Sequence, residues 1–421
     1  MKKIINNSID FAYKYSLFFL IGFLILNSFN YIFPELNSYT TIGIFYRGVV
    51  LFIYVVFAIL IAIKSNVIKN KVFILISFLY IVFSLISLIN VSFNPLTSNI
   101  SIDGLNYVKS IGQILINVIS VIVLFSITKI DNKEKEIVSY IILGIIAFSI
   151  IFSFIKDFYS IVSTFMEYDH SNYDVTSFFV DKNTFGLLLF LGAIISYFLC
   201  KSKNMWFIIP LYITMFYSVI IRCKTSALLI FILSIIALFE CFVLLFRKNK
   251  KAFIVLLVLI STTLITFCTL ILVKVGPFKY IYSALFDEYG LFYDSFVVLS
   301  DRFNNWKQLL NKISSFPFIL LGYSERIYQL FVSSPIDNIF ILCLISGGII
   351  KLLIYLFLLF VLYKKNIANK MMIFILSLLI LYGLMQDYTM VGVSFSSLVF
   401  AIIILIYLEP IDFYHLTYIQ K

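Results

Sequence analysis

Charged residues are scarce in this chain: they make up 13% of its 421 residues, whereas hydrophobic residues make up 62%. Soluble domains carry about 25% charged residues. The low charge, together with a mean hydropathy of +1.06, therefore excludes a soluble globular protein. Long apolar runs dominate the chain instead. The sequence predicts an all-α, polytopic integral membrane protein.

About twelve of these runs are long enough to cross the hydrocarbon core, which takes about 20 apolar residues per helix. The predicted spans are 11–33, 42–63, 72–90, 105–127, 138–155, 183–200, 205–221, 225–246, 252–274, 338–362, 371–386 and 393–408. Most basic residues then lie on the side of the two termini, which predicts that both termini are cytoplasmic. The chain is expected to form one transmembrane domain over 1–421, with outer loops near 156–182 and at 275–337.

Cysteine and histidine are too few for the sites they usually build. Five cysteines lie in or beside predicted spans without paired spacing, and the two histidines, His170 and His415, are far apart. We therefore expect no disulfide framework, no metal and no cofactor. Matched pairs of broken hydrophobic segments are also missing, which disfavours a transporter built from inverted repeats. The net charge of +11 is assigned to inner-loop lysines beside an anionic leaflet, and not to nucleic-acid binding.

Arginine is the scarcer basic residue, with five copies against 27 lysines (32 basic residues less the five arginines). Arg247 lies in a cytoplasmic cluster, but four others lie at outer ends of spans or in the 275–337 loop: Arg47, Arg222, Arg302 and Arg326. Basic residues are normally kept off that face. Because a guanidinium binds phosphate oxygens bidentately, the pattern predicts an extracytoplasmic site for a phosphate-bearing substrate. For Arg222 and Lys224 the alternative is anchorage of helix ends at the membrane surface.

The 275–337 loop contains a predicted amphipathic helix near 301–315. Ser300 and Asp301 can cap its start, and it should end before Phe316-Pro317. Its apolar face comprises Phe303, Trp306, Leu309, Leu310 and Ile313. The helix either lies on the outer surface of the bilayer or packs on the helix bundle as a lid.

Two polar segments open predicted spans on the outer side. Asp337-Asn338 precedes an apolar run and the pair Gly347-Gly348, and residues 181–186 open the span at 183–200. Asp337 is a candidate general base, or it only caps a helix. The acidic loop before 181 supplies further candidate bases, or it is a solvated connector.

Four of these segments, in order, resemble motifs of the bacterial O-antigen and capsule polymerase and ligase family. Residues 181–186 (DKNTFG) resemble the signature N-x-h-G, and 222–227 (RCKTSA) resemble S-R-[ST]-[AG]. Arg302 through Trp306, Pro317 and Gly322 resembles R-x-x-x-W…P-x-x-G, and 337–348 resembles [HD]-N-x-[FY]-[IL]…G-[IG]-[IL]. The resemblance covers about 170–360, and the first 130 residues only by hydropathy. Asp337 stands where the ligases have histidine, which favours a Wzy-type repeat-unit polymerase.

The resemblance implies a metal-independent glycosyltransferase in the bacterial cytoplasmic membrane. Such an enzyme transfers a growing glycan from a polyprenyl-diphosphate carrier to a lipid-linked repeat unit at the outer face, with a chain-length regulator and a flippase as candidate partners. The implied catalytic residues are Asp337, Arg302 and Arg222, and the implied substrate-binding residues are Lys224, Arg326, Asn183 and Asn338. The alternatives are an O-antigen ligase and a transporter (flippase) of lipid-linked oligosaccharide, whose mark would be mid-span charges such as Lys351.

Overall fold

The computed structural model describes residues 2–32, 41–65, 67–69, 71–93, 104–127, 130–161, 175–179, 182–202, 205–221, 223–248, 303–311, 316–325, 327–331, 336, 338–365, 367, 370–386 and 395–407, with isolated positions between 254 and 282. These residues are 91% helical, and no strand occurs among them. They form two compact units. Unit 1 comprises Met1–Val138 with Phe303–Lys421, and unit 2 comprises Ser139–Arg302.

The described helices are numbered in chain order. They are α1 (Lys2–Lys14), α2 (Ser16–Ile32), α3 (Thr41–Ser65), α4 (Lys71–Phe93), α5 (Gly104–Ser126), α6 (Asn132–Lys156), α7 (Lys182–Ser202), α8 (Ile208–Ile220), α9 (Lys224–Lys248), α10 (303–311), α11 (Phe318–Leu321), α12 (Tyr328–Phe331), α13 (Ile339–Lys365), α14 (Lys370–Met385) and α15 (Phe395–Tyr407). Unit 2 contains α7, α8 and α9, α6 contributes to both units, and the other helices belong to unit 1.

Among the described residues, six helices are long and apolar enough to cross a membrane: Thr41–Ser65, Phe73–Phe93, Asn106–Ser126, Asn132–Lys156, Lys182–Cys200 and Ile339–Lys364. Shorter apolar helices lie at Ile208–Ile220, Thr225–Glu240, Ile373–Met385 and Ser397–Ile406. The prediction of an all-α protein with transmembrane helices is confirmed at this level. Every predicted span except 252–274 coincides with one of these helices or with the bent pair α1 and α2, and 252–274 lies mostly outside the described residues.

The first predicted span, 11–33, is divided in two. α1 and α2 meet at Tyr15 with a bend of 75°. The carboxylate of Glu134 accepts hydrogen bonds from the backbone N–H groups of Leu17 (3.1 Å) and Phe18 (3.3 Å) at the start of α2. These N–H groups have no partner within the helix, and a carboxylate at a helix N-terminus is favourable. The start of α2 is therefore stabilised by a residue 117 positions away in the chain.

α7 is the central helix of unit 2. Within the protein 83% of its apolar window is buried, compared with 22–39% for the other long helices. It packs against both α8 and α9. A helix that is apolar all round is buried either in lipid or among other elements of the protein, and the high burial of α7 indicates the second. α7 therefore places its first turn, at the motif segment 181–186, among its neighbours in unit 2.

Residues 316–325 pack into unit 1 against α4, α5 and α13, and we call them the docked segment. Opposite them, α13 loses helical geometry at Gly347 and Gly348. The backbone N–H of Tyr323 donates to the carbonyl oxygen of Ile345 at 2.7 Å. Inside an apolar bundle, a carbonyl released by a broken helix needs such a partner. The docked segment and the break in α13 therefore stabilise each other.

Glycine is required on both sides of this contact. Gly322 has a φ of 67°, and a Cβ atom there would lie 2.5 Å from the nitrogen of Gly347 and 2.6 Å from that of Gly348. Gly348 has a φ of 64°, and its Cβ would overlap the carbonyl oxygen of Leu320. Only a residue without a side chain combines this close approach with a positive φ at little cost.

We predict that Gly322→Ala and Gly348→Ala each lower the stability of the protein by at least about 1–3 kcal/mol, the usual cost of such backbone strain. Gly112→Ala in α5 is the matched control, because nothing lies within 4 Å of its Cβ position and alanine is favoured inside a helix. Thermal unfolding of the purified variants in detergent checks the prediction. Equal stability of Gly348→Ala and Gly112→Ala would contradict the described packing.

Candidate functional site

The structure describes only part of the predicted site. Asn183 and Asn338 are described, as is the backbone of Lys224. The residues that lie outside the described ranges are Arg222, Arg302, Arg326 and Asp337. Their roles stay predictions, but their described neighbours reveal which motif segments meet.

The first two motif segments meet in unit 2. The thiol of Cys223 lies 3.8 Å from Oδ1 of the half-buried Asn183 and 3.3 Å from Oγ of Ser226. A Cβ atom at Gly186 would overlap the sulfur of Cys223 and lie 2.7 Å from Oγ of Ser226. The missing side chain at Gly186 thus allows the first turns of α7 and α9 to lie against each other.

The turn that joins α8 to α9 is tight. The backbone N–H of Ile221 donates to the carbonyl of Tyr217 at 3.0 Å, and that of Cys223 donates to the carbonyl of Ser218 at 3.2 Å. Ile221 and Cys223 are each only 1% exposed. The residues on both sides of Arg222 in the chain are therefore buried and hydrogen-bonded.

The two helices that meet here begin at lysines. α7 begins at Lys182 and α9 at Lys224, and neither helix has an acidic residue in its first turn. The N-terminus of a helix carries a partial positive charge, which attracts anions. Because the two first turns lie against each other, both helix dipoles would favour an anionic group at this end.

The third and fourth motif segments meet in unit 1, where Gly322 of the docked segment fits the break at Gly347 and Gly348. The rings of Phe318 and Tyr323 stack with 4.5 Å between centroids, and both residues belong to the apolar core. Burial raises the pKa of Tyr323 above its ordinary value, so its phenol stays neutral. The contact is thus apolar on one side and backbone-to-backbone on the other.

Asn338 caps α13. Its Oδ1 accepts hydrogen bonds from the backbone N–H groups of Phe340 (2.9 Å) and Ile341 (3.1 Å). Its Nδ2 donates to the carbonyl of Leu384 at 3.0 Å, near the end of α14. Asn338 therefore has a structural role in joining these two helices, and its contact with a substrate stays a prediction.

A buried polar cluster in unit 1 was not predicted from the sequence, and we call it the Glu325 cluster. The carboxylate of Glu325 accepts hydrogen bonds from the ammonium of Lys351 and, at 2.8 Å, from the hydroxyl of Tyr80. Nδ2 of Asn117 donates to the Tyr80 hydroxyl at 2.8 Å, and Lys351 also donates to Oγ of Ser346 at 2.7 Å. The side chains of Glu325 and Lys351 are 7% and 15% exposed. The cluster thus joins the docked segment to α4, α5 and α13.

One signal for this cluster was present in the sequence. Lys351 is a mid-span cation, and a charge at such a position needs a partner. The partner, Glu325, lies 26 positions earlier, in a segment that hydropathy assigns to an outer loop. Hydropathy therefore indicated the lysine but not its carboxylate.

A helix, α10, occupies residues 303–311 within the range predicted for the amphipathic helix. Leu309 is 3% exposed within the core of unit 1, and Trp306 packs against that core. Phe303 is 60% exposed and contacts Trp306 edge to face at 5.2 Å. Burial of Leu309 favours the lid over a helix that lies free on the bilayer.

No protein-family model, no curated protein and no solved structure matches this chain. The fold therefore defines the class, an all-α protein with transmembrane helices, and the family resemblance of the motif segments stays a prediction. Within the described residues, no group of three or more His, Cys, Asp or Glu side chains is placed to hold a metal ion. The features that the described geometry offers are an end suited to anions in unit 2 and a buried ion pair in unit 1.

We predict that Gly186→Ala destabilises unit 2, because its methyl group forces the first turns of α7 and α9 apart. Gly144→Ala in α6 is the control, since nothing lies within 4 Å of its Cβ position. Adding Cys223→Ala to Gly186→Ala removes the nearest overlapping atom and should restore part of the lost stability. Thermal unfolding of the three proteins measures the effect, and a Gly186→Ala variant as stable as Gly144→Ala would show that the close contact does not exist.

Proposed function

We propose that this chain is a Wzy-type repeat-unit polymerase. It transfers a growing glycan from a polyprenyl-diphosphate carrier to a lipid-linked repeat unit at the outer face of the bacterial cytoplasmic membrane. The proposal includes about twelve transmembrane helices, cytoplasmic termini and a long extracytoplasmic loop at 275–337.

The observation that carries the proposal is the pairing of the four motif segments. Gly186 of the first lies against Cys223 of the second, and Gly322 of the third lies against Gly348 of the fourth. Asn183 and Cys223 are 40 positions apart in the chain. Short motifs that match a family by chance have no reason to meet in space. Segments that build a site do have to meet, and the glycines of these motifs occupy the points of closest approach.

Glycosyl transfer from a diphosphate needs two kinds of group. A hydroxyl of the acceptor sugar attacks the anomeric carbon of the donor glycan, the bond from that carbon to the diphosphate oxygen breaks, and the polyprenyl diphosphate leaves as an anion. Arg222 and Arg302 stabilise the charge that develops on the leaving group. Asp337 accepts the hydroxyl proton.

Four further residues are proposed to bind the substrate. Lys224 and Arg326 make secondary contacts to phosphate or glycan, and Asn183 and Asn338 hydrogen-bond the substrate. The contact between the first turns of α7 and α9 supports the assignment of Lys224, because two helix N-termini that lie together favour an anion such as a diphosphate.

A transporter of lipid-linked oligosaccharide is the second candidate, and the buried pair of Lys351 and Glu325 is the observation that favours it. Charges inside a helix bundle are typical of transport pathways. However, both partners are already engaged by each other, by Tyr80 and by Ser346. An ammonium satisfied in this way has no unmet need for a substrate phosphate, which favours the polymerase.

Removal of the gene from its own organism discriminates between the candidates. Loss of a polymerase leaves surface glycan of single repeat units, loss of a ligase leaves no glycan on the final acceptor, and loss of a transporter retains lipid-linked units in the inner leaflet. We expect the first pattern on gels of surface polysaccharide. Either of the other two patterns would replace the polymerase by the corresponding alternative.

We predict that Arg222→Ala and Arg302→Ala reduce polymer at least about 100-fold in the complemented strain, as the loss of one donor to a developing oxyanion does in other enzymes. Lysine should restore little activity at either position because it lacks the bidentate fork. Arg247→Ala, in the predicted cytoplasmic cluster, is the matched control and should keep a normal ladder. Full-length polysaccharide from Arg222→Ala at equal protein level would remove that residue from the site.

We predict that Asp337→Asn abolishes most polymer without changing the amount of protein. The cap of α13 is Asn338, so the change should leave the helix intact, but the amide of asparagine cannot accept the proton of the attacking hydroxyl. A near-normal ladder from Asp337→Asn would remove Asp337 from the catalytic residues and direct the search for the base to the acidic loop before residue 181.

A further inference from the structure

Three helices hydrogen-bond to the docked segment at Glu325. Lys351 comes from α13, Tyr80 from α4 and Asn117 from α5, and their polar atoms converge on one carboxylate. Glu325 itself is 6% exposed. Neutral polar contacts also hold this segment. Oγ of Ser324 lies 3.1 Å from Oγ of Ser110, Oγ of Ser87 donates to the carbonyl of Gly322 at 3.4 Å, and the N–H of Tyr323 donates to the carbonyl of Ile345.

The docked segment cannot maintain its conformation alone. Its helix, α11, contains only 4 residues, and isolated helices shorter than about 12 residues are marginal in water. Ser324 has a positive φ of 68°, a conformation that a non-glycine residue adopts at a cost unless its surroundings fix it. The segment therefore depends on contacts made by the helices around it.

Among these contacts, the ion pair is the one whose disruption costs the most free energy. A buried carboxylate without its ammonium, or a buried ammonium without its carboxylate, is an uncompensated charge in a low-dielectric interior. If the docked segment is released into water, that charge becomes hydrated. The apolar contacts of Phe318 and Tyr323 oppose release but do not neutralise the charge.

We infer that Glu325 and Lys351 are positioning residues, whose ion pair fixes the docked segment in the break of α13. The inference rests on the proposed function in one respect: the third and fourth motif segments are taken to belong to the site of polymerisation. The pair itself touches no substrate. It holds the third motif segment against the fourth.

The first experiment measures docking without reference to activity. A single cysteine replaces the buried Ser324 in the full-length protein, whose native cysteines have been removed, and the purified protein in nanodiscs is treated with a maleimide reagent. We expect Lys351→Met to raise the rate of labelling at least tenfold, and Glu325→Gln to raise it less because the amide can keep its neutral hydrogen bonds. Lys364→Met, an exposed lysine at the end of the same helix, is the control and should change nothing. Unchanged labelling in folded, monodisperse Lys351→Met and Glu325→Gln would overturn the inference.

The second experiment tests whether docking is what polymerisation needs. Ser110→Cys with Ser324→Cys offers a disulfide between α5 and the docked segment that replaces the ion pair as the attachment. In the Lys351→Met and Glu325→Gln backgrounds, we expect the ladder of surface polysaccharide to be lost, to return when the disulfide forms, and to be lost again on reduction.

The outcomes separate the inference from the proposed function. A formed disulfide that does not restore polymer in Glu325→Gln would mean that the carboxylate acts in the chemistry and not through position, which overturns the inference. If deletion of the gene leaves the glycan ladder unchanged while Lys351→Met still raises labelling, the docking role stands and the polymerase proposal fails.

Discussion

The break in α13 at Gly347 and Gly348 is the constraint on which the rest of unit 1 depends. A helix interrupted inside an apolar bundle exposes backbone groups that neither lipid nor water can satisfy. The docked segment supplies the missing partner through Tyr323 and fits only because Gly322 carries no side chain. Once a non-helical segment enters at this depth, its own charge, Glu325, also enters, and the lysine on the far side of the break neutralises it. The break, the segment and the ion pair are therefore parts of one arrangement.

Two other buried carboxylates in the described structure accept hydrogen bonds directly from backbone N–H groups. Glu134 binds the first backbone N–H groups of α2, where the chain has just bent. In unit 2, Asp157 accepts hydrogen bonds from the backbone N–H groups of Thr176 (3.2 Å) and Ser177 (2.8 Å), and Ser177 itself has a positive φ of 57°. In each case the chain departs from regular helix, and an acidic residue from another segment satisfies the freed groups. At these two places, irregular backbone is thus stabilised by hydrogen bonds to a carboxylate from another segment.

The sequence predicts those features that depend on neighbouring residues and misses those that depend on distant ones. Hydropathy is a local sum, so the apolar helices were found, and α10 was found because its pattern repeats within one short segment. The bend between α1 and α2 was missed because Glu134 is 117 positions from Leu17. The hydrogen bond from Tyr80 to Glu325 joins residues 245 positions apart, and the periodicity of apolar residues within a helix cannot predict such a contact. At the candidate site, the glycines at 186, 322 and 348 stood inside the motif segments, but only the structure reveals that they mark the points of contact.

The same reasoning bears on where a general base can lie. A base must be reachable by a hydroxyl and must have a lone pair to receive its proton. Among the described residues, the buried carboxylates are Glu134, Asp157 and Glu325, and each already accepts hydrogen bonds that hold the backbone or an ion pair in place. Protonation of any of them would release the structure that it supports, so none suits a role that requires protonation in every catalytic cycle. Asp337 is one residue before Asn338, and Asn338 is the residue that caps α13. Its carboxylate is therefore not needed for that structural task, and this makes it the more suitable candidate.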